Sequence, residues 1–241
     1  MHKAIAIGLA ATSLASAGCA RDRTESAGPA TTRNYQVGGF DRLEVAGPYE
    51  VTVATGGAPS VQASGGERAI ERLVVEVEGR TLKIHTKKRS GMSFGWSRTH
   101  PVKLTVTVPT LSAAGIAGSG DISVDKLSGD LFEGEVAGSG NLRLGQVELK
   151  RLKVGIAGSG EVKAGTGRVA NAEYEIAGSG DIDAAGLVAQ TAAVSIAGSG
   201  NVAAHATGTA KVDIAGSGDV RMTGGAKCSV SKAGSGNVAC S

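Results

Sequence analysis

Large side chains are scarce in this sequence. Aromatic residues make up 3% of the 241, supplied by one tryptophan, three phenylalanines and three tyrosines. That excludes an interior packed around bulky rings and leaves one assembled from small and aliphatic residues. Histidine is equally scarce, with four residues and no paired spacing, so a zinc site has no support. Charge of neither sign dominates: the formal net charge is +3, and no basic strand interleaved with aromatics appears, so nucleic acid is not an expected partner. The one long apolar run, residues 4–17, follows His2 and Lys3 and is too short to cross a bilayer comfortably. It suits a secretory signal over residues 1–18.

What the sequence has instead is glycine, 38 residues of it, and a repeat. A heptapeptide of the form Ile-Ala-Gly-Ser-Gly-Asp-Ile begins at Ile116, Val136, Ile156, Ile176, Ile196, Ile214 and Lys232, in steps of 20, 20, 20, 20, 18 and 18 residues. A fixed period near 20 marks a solenoid, whose coils bury their apolar faces only against their neighbours. The first and seventh positions are aliphatic and mostly β-branched, at the even offset expected of one strand face. Two glycines per repeat would cost a helix roughly 1 kcal/mol each relative to alanine. The expected fold is all-β: a single-stranded parallel β-helix of about 20 residues per coil, each coil made of short strands separated by turns. Parallel crossovers favour a right-handed coil.

Within the repeat, Gly-Ser-Gly reads as structural. Glycine fits where φ is positive or where a Cβ would collide with the adjacent coil, and a serine hydroxyl can bond neighbouring backbone. The sixth position holds Asp121, Asn141, Glu161, Asp181, Asn201, Asp219 and Asn237. Adjacent carboxylates about 4.8 Å apart repel by roughly 1 kcal/mol in water, so asparagine between acids relieves the row, and only Glu161 and Asp181 are neighbouring acids in the repeats. A solvated turn column is the expectation, with no convergent metal or catalytic ligands. The dinucleotide fingerprint lacks its third glycine in every copy, no phosphate loop follows, and the calcium-binding nonapeptide differs in spacing and period. No cofactor is expected.

The chain divides into a signal (1–18), a polar flexible tether (19–36), irregular N-terminal coils (37–110) and regular repeats (111–241), the last two forming one solenoid. Residues 16–19, Ser-Ala-Gly-Cys, resemble a bacterial lipobox with Ser where Leu is usual, which makes Cys19 a lipidation candidate; Ala15-Ser16-Ala17 fits ordinary signal cleavage. With Cys19 lipidated, Cys228 and Cys240 remain as a candidate disulfide closing the last turn, against the alternative of two buried thiols. In the irregular part, residues 45–51 match the heptapeptide with Pro48-Tyr49 replacing Ser-Gly, residues 67–73 have helical spacing and would cover the open end of the stack, and Gly79 serves a hairpin.

Residues 85–100 are the least regular segment. Lys87, Lys88, Arg89, Phe94, Trp96, Arg98 and His100 make a candidate surface-binding loop, its aromatics supplying apolar contact and its cations meeting phosphate or carboxylate groups. The competing reading is a solvated hairpin tip whose aromatics pack on the head. Gly91-Met92-Ser93-Phe94-Gly95 imitates a hydrolase nucleophile turn, but a strand follows it rather than a helix, and no acid lies between Thr81 and Gly120.

These residues resemble a known family. Residues 40–48 (Phe-Asp-Arg-Leu-Glu-Val-Ala-Gly-Pro), residues 102–109 (Val-Lys-Leu-Thr-Val-Thr-Val-Pro) and the Gly-Ser-Gly-Asp/Asn repeats are similar to the auto-transporter adhesin head GIN domain family of bacterial envelope proteins. The resemblance implies a β-helix and an envelope location, and brings no catalytic residues. The leading expectation is a non-enzymatic surface-binding lipoprotein, anchored to the membrane by lipid, exported to the outer membrane or periplasmic face, with an envelope polysaccharide, lipid headgroup or other surface ligand as partner. A polysaccharide lyase or hydrolase using an acid cluster, and a purely structural envelope protein, are the alternatives. Oligomeric state is not legible.

Overall fold

A computed structural model describes residues 28–87 and 102–241. Within them the head contributes β1 (Ala30–Tyr35), β2 (Arg42–Ala46), β3 (Glu50–Thr55), β4 (Ser60–Gly66), the single helical turn α1 (Glu67–Glu71), β5 (Leu73–Glu78), β6 (Thr81–Thr86) and β7 (Lys103–Val108). The stack continues with β8 (Ala113–Gly118), β9 (Asp121–Gly138), β10 (Asn141–Gly158), β11 (Glu161–Gly178), β12 (Asp181–Gly198) and β13 (Asn201–Gly216). It ends with β14 (Val220–Thr223), β15 (Lys227–Ala233) and β16 (Val238–Cys240). The protein is a β-solenoid of stacked parallel coils.

The regular coils pair as the repeat dictates. Ile156 lies opposite Val136 on one side and Ile176 on the other, and Leu142 opposite Ile122 and Val162. Between β12 and β13 the offset falls to 18, with register slips between Ala184 and Val188 and between Ala189 and Thr191. The residues dropped come from a bend, so the aliphatic ladders on either side stay aligned: Ile182 meets Val202 and Ile196 meets Ile214.

Each coil has three sides. In β10 the buried residues are Leu142 and Leu144, then Val147 and Leu149, then Leu152, Val154 and Ile156; two consecutive outward residues break the alternation at 145–146 and again at 150–151. A strand that places two neighbours outward has turned a corner. Ladder hydrogen bonds run through both bends, so each strand spans 18 residues, where short separate strands are expected from sequence. Only the third corner, Gly-Ser-Gly, interrupts pairing.

That corner explains the glycines. Gly138, Gly158 and Gly178 have φ of 131°, 135° and 132°, a region in which L side chains are strained. The second glycine of each triplet is excluded by contact instead: a Cβ on Gly160 would lie 2.3 Å from the Gly140 carbonyl oxygen and 2.6 Å from Val136 Cγ1. The serine between them faces solvent, and its amide rather than its hydroxyl reaches the preceding coil, Ser159 N–H donating to Gly138 O at 2.8 Å.

Interior volume is shared within a coil. Phe132 is fully buried beside Gly134, where a Cβ would come 3.3 Å from its ring. Tyr174, 1% exposed, shares its coil with Ala164 and Ala172. Replacing aliphatic bulk by one large ring and small neighbours keeps packing density, but it leaves the Tyr174 hydroxyl buried without a hydrogen-bond partner.

The head belongs to the same sheet, in an order the sequence does not reveal. β2 pairs in parallel with β8 and β3 with β9, Val45 opposite Ile116 and Val51 opposite Ile122. On their other side β2 pairs with β6 and β3 with β7. The coil that comes first in the chain is therefore second in the stack. Antiparallel strands close the end: β5 on β6 through Gly79 (φ 61°), β4 on β7, and β1 on β4, with Ile70 of α1 fully buried. The stretch expected to be tether up to residue 36 thus enters the fold at Ala30, where β-branched Thr31 and Thr32 suit an edge strand.

At the far end a disulfide joins Cys228 of β15 to Cys240 of β16, with Cα atoms 6.7 Å apart. Lys232 takes the place of the ladder isoleucine there, and its ammonium bonds Gly236 O at 2.7 Å.

Candidate functional site

The Gly-Ser-Gly corner is also where the head departs from the stack. Ala46 lies opposite both His85 and Ala117, and Glu50 opposite both Lys103 and Asp121. Residues 86–102 consequently occupy the place that residues 47–49 fill in the next coil and residues 118–120 in the one after. The candidate binding loop is an insertion at a corner of the end coil.

Its stem is built from buried and bonded groups. The Tyr49 hydroxyl lies 2.5 Å from Thr86 Oγ1, and Lys87 N–H donates to Arg72 O at 2.8 Å. Burial pushes the Tyr49 pKa up, against the opposing effect of the Thr86 hydrogen bond. On the returning side Val102 is 4% exposed and packs against Gly65, where a Cβ would stand 3.2 Å from Val102 Cγ2. Its carbonyl accepts from Glu50 N–H at 3.1 Å.

Lys87 is exposed at the start of the insertion. Lys88, Arg89, Phe94, Trp96, Arg98 and His100 lie outside the described residues, as do Ser93 and Cys19. Charge distribution singles the segment out all the same: residues 88–101 contain three Lys or Arg and no acid, residues 28–87 seven of each sign, and residues 102–241 twelve cations against thirteen acids. The folded body is close to neutral, and the inserted segment is where uncompensated positive charge concentrates.

The polar column does more than tolerate solvent. Asn141 Nδ2 and its amide N–H both donate to Asp121 Oδ1, at 2.7 and 3.0 Å, and Asn201 repeats the pattern on Asp181 at 2.8 and 3.1 Å. Asp219 and Asn237 amides bond the side chains one coil back at 3.2 and 2.8 Å. Asparagine between acids thus supplies a donor as well as distance. The head adds a second pair of neighbouring acids to Glu161 and Asp181, since Glu50 meets Asp121, and Lys103 offsets it at 3.2 Å from Glu50. Among the described residues no group of three His, Cys, Asp or Glu is placed to hold a metal ion.

One feature escapes sequence reading. Along the third side runs a furrow of about 730 Å³, bounded by residues of six successive coils from Leu131 to Ser229. Its walls fall outside the heptapeptide, in columns where the repeats share no residue type, so only the 20-residue register brings them into line.

The family described as "Putative auto-transporter adhesin, head GIN domain" matches residues 39–226. No curated protein matches the sequence. Among solved structures, a putative adhesin from Bacteroides fragilis is 26% identical with a TM-score of 0.80, over 88% of this chain and 97% of that one. A putative lipid binding protein from Parabacteroides distasonis is 29% identical with a TM-score of 0.71 over the same shares. A putative adhesin from Parabacteroides distasonis, 21% identical with a TM-score of 0.70 over 89% and 98%, shares the fold.

Proposed function

The chain belongs to the head GIN domain family of putative auto-transporter adhesins, and from that membership we propose that it is a non-catalytic binding protein of the bacterial cell envelope that holds an anionic surface through the insertion at residues 86–102. The observation that carries this reading is the insertion's position: a firm stem at the end of a stacked rod presents a segment with three cations, Phe94 and Trp96 away from a near-neutral body. Cations draw an anionic surface, and exposed aromatics add apolar contact at its boundary. The lipid-binding name of one structural neighbour supports a headgroup as the anionic source; the adhesin names support a surface polymer. A signal over residues 1–18 and a lipid on Cys19 would hold the rod at a membrane, in an oxidising compartment where the Cys228–Cys240 bridge persists.

Deleting residues 90–99 tests the reading. Binding to vesicles containing phosphatidylglycerol, and to acidic envelope polysaccharide, is compared with binding to phosphatidylcholine vesicles. At least a tenfold loss on one anionic target, with the circular dichroism spectrum and melting temperature unchanged, is expected, and the target affected identifies the source. Undiminished binding by the deletion variant would overturn the assignment to this loop. Intact mass of the membrane fraction checks the anchor: a diacylglyceryl group on Cys19 is expected, and a soluble product beginning at Gly18 would remove it.

A further inference from the structure

We propose that the furrow on the third side binds an extended acidic polysaccharide lying parallel to the stack axis, a site separate from the insertion and independent of it. One wall is the outward column Leu131, Arg151, Asn171, Thr191, Thr209 and Lys227. It carries cations and neutral groups but no acid. The other outward columns of these coils do not: the one through Arg143 also holds Asp183, and the one through Gly155 is acidic at Glu135, Glu175 and Asp213.

The two cations of this wall are also available. Lys153 across the furrow is held by Glu173 and Glu175 at 3.2 and 3.3 Å, which raises its pKa, and Lys211 by Asp213 at 2.8 Å. Among the described residues Arg151 and Lys227 make no ion pair. They stand four coils apart, roughly 19 Å at the spacing of paired strands. Between them Thr191 Oγ1 donates to Asn171 Oδ1 at 2.8 Å, leaving the Asn171 amide hydrogens for a ligand. The floor is the backbone of Ala172, Ala192 and Ala210, whose side chains point inward, and Ala193 leaves the opposite wall low.

Isolated cations joined by hydroxyl and amide groups match a chain that bears carboxylates at intervals and hydroxyls between. An extended peptide advances about 3.3 Å per residue and falls out of step with coils about 4.8 Å apart, whereas a pyranose chain advances by about one coil spacing per sugar. Guanidinium and ammonium groups bind carboxylates through charge-assisted hydrogen bonds. General attraction is not the cause, because residues 102–241 hold thirteen acids against twelve cations.

The test titrates oligogalacturonate into the full chain by calorimetry at low salt. The pair Arg151→Glu with Lys227→Glu is expected to lose at least tenfold in affinity. Arg143→Glu with Arg221→Glu makes the same charge change on another side and is expected to lose less than twofold. Thr191→Trp, which fills the furrow without altering charge, is expected to lose as much as the first pair, with folding confirmed by circular dichroism. Deleting residues 90–99 should leave this binding intact, which separates its failure from that of the loop reading. No binding by the unmodified chain, equal losses in the two charge pairs, or loss only on loop deletion would each overturn the proposal.

Discussion

One corner of the coil is built in two ways. In the stack a side chain on the second glycine has nowhere to go: a Cβ on Gly140 would stand 2.1 Å from Gly120 O, and on Gly120 itself 2.5 Å from Gly47 O. In the head the corresponding residue is Tyr49, which is buried and bonded to Thr86. The difference lies in the coil beneath. Under Gly120 the chain turns tightly, whereas under Tyr49 it leaves the stack as residues 86–102. A corner accepts a side chain only where its predecessor has opened, and such an opening is where a binding segment can be inserted.

The sharpest way to break this comparison is Gly180→Val, whose Cβ would meet Gly160 O and Ile156 Cγ2, each at 2.6 Å. Loss of about 4 kcal/mol or more is expected in chemical denaturation, as for severe overpacking; an unchanged midpoint would show that the corner is not sterically closed. Replacing Cys228 and Cys240 by serine, or reducing them, should cost about 3 kcal/mol by the loop-entropy account. Because coils contact only their neighbours, hydrogen exchange should rise in β14–β16 and not in the head. Exchange spreading through the whole stack would contradict coil-by-coil stability.

Tyr174 offers the opposite sign. Tyr174→Phe removes a buried, unpartnered hydroxyl and should stabilise by about 1 kcal/mol. Burial raises the folded pKa of Tyr174 above that of the unfolded chain. Below about pH 10 both states keep the proton and pH has no effect; above it the unfolded state releases its proton first, so stability falls as pH rises. The phenylalanine variant should lose part of that alkaline decline, and identical pH profiles would argue against the burial. In the head, Tyr49→Phe removes a hydrogen bond that is made, and should cost somewhat under 1 kcal/mol. The two tyrosine variants should therefore move the melting temperature in opposite directions.

The stack was legible because its period, aliphatic columns and glycine pairs all report the same close approach of backbone to backbone, as at Gly160 over Gly140. The head was less so. Residues 45–51 betray a coil, yet nothing local to them records that β6 and β7 pair beneath them, since that order depends on strands distant in sequence. The early start of β1 was hidden because an edge strand with four exposed residues has the composition of a linker. The furrow was hidden for another reason: Asn171, Thr191 and Thr209 share no residue type that would announce a column, and become a wall only through register.

The order of coils in the head also sets a timetable. The first coil to leave the ribosome, β2 with β3, is held between β6–β7 on one side and β8–β9 on the other. Its backbone partners do not all exist until synthesis has passed residue 124. The nascent chain therefore has no finished unit to offer before that point, and once past it each further 20 residues can close onto a completed edge, so that assembly begins with a delay and then proceeds one coil at a time.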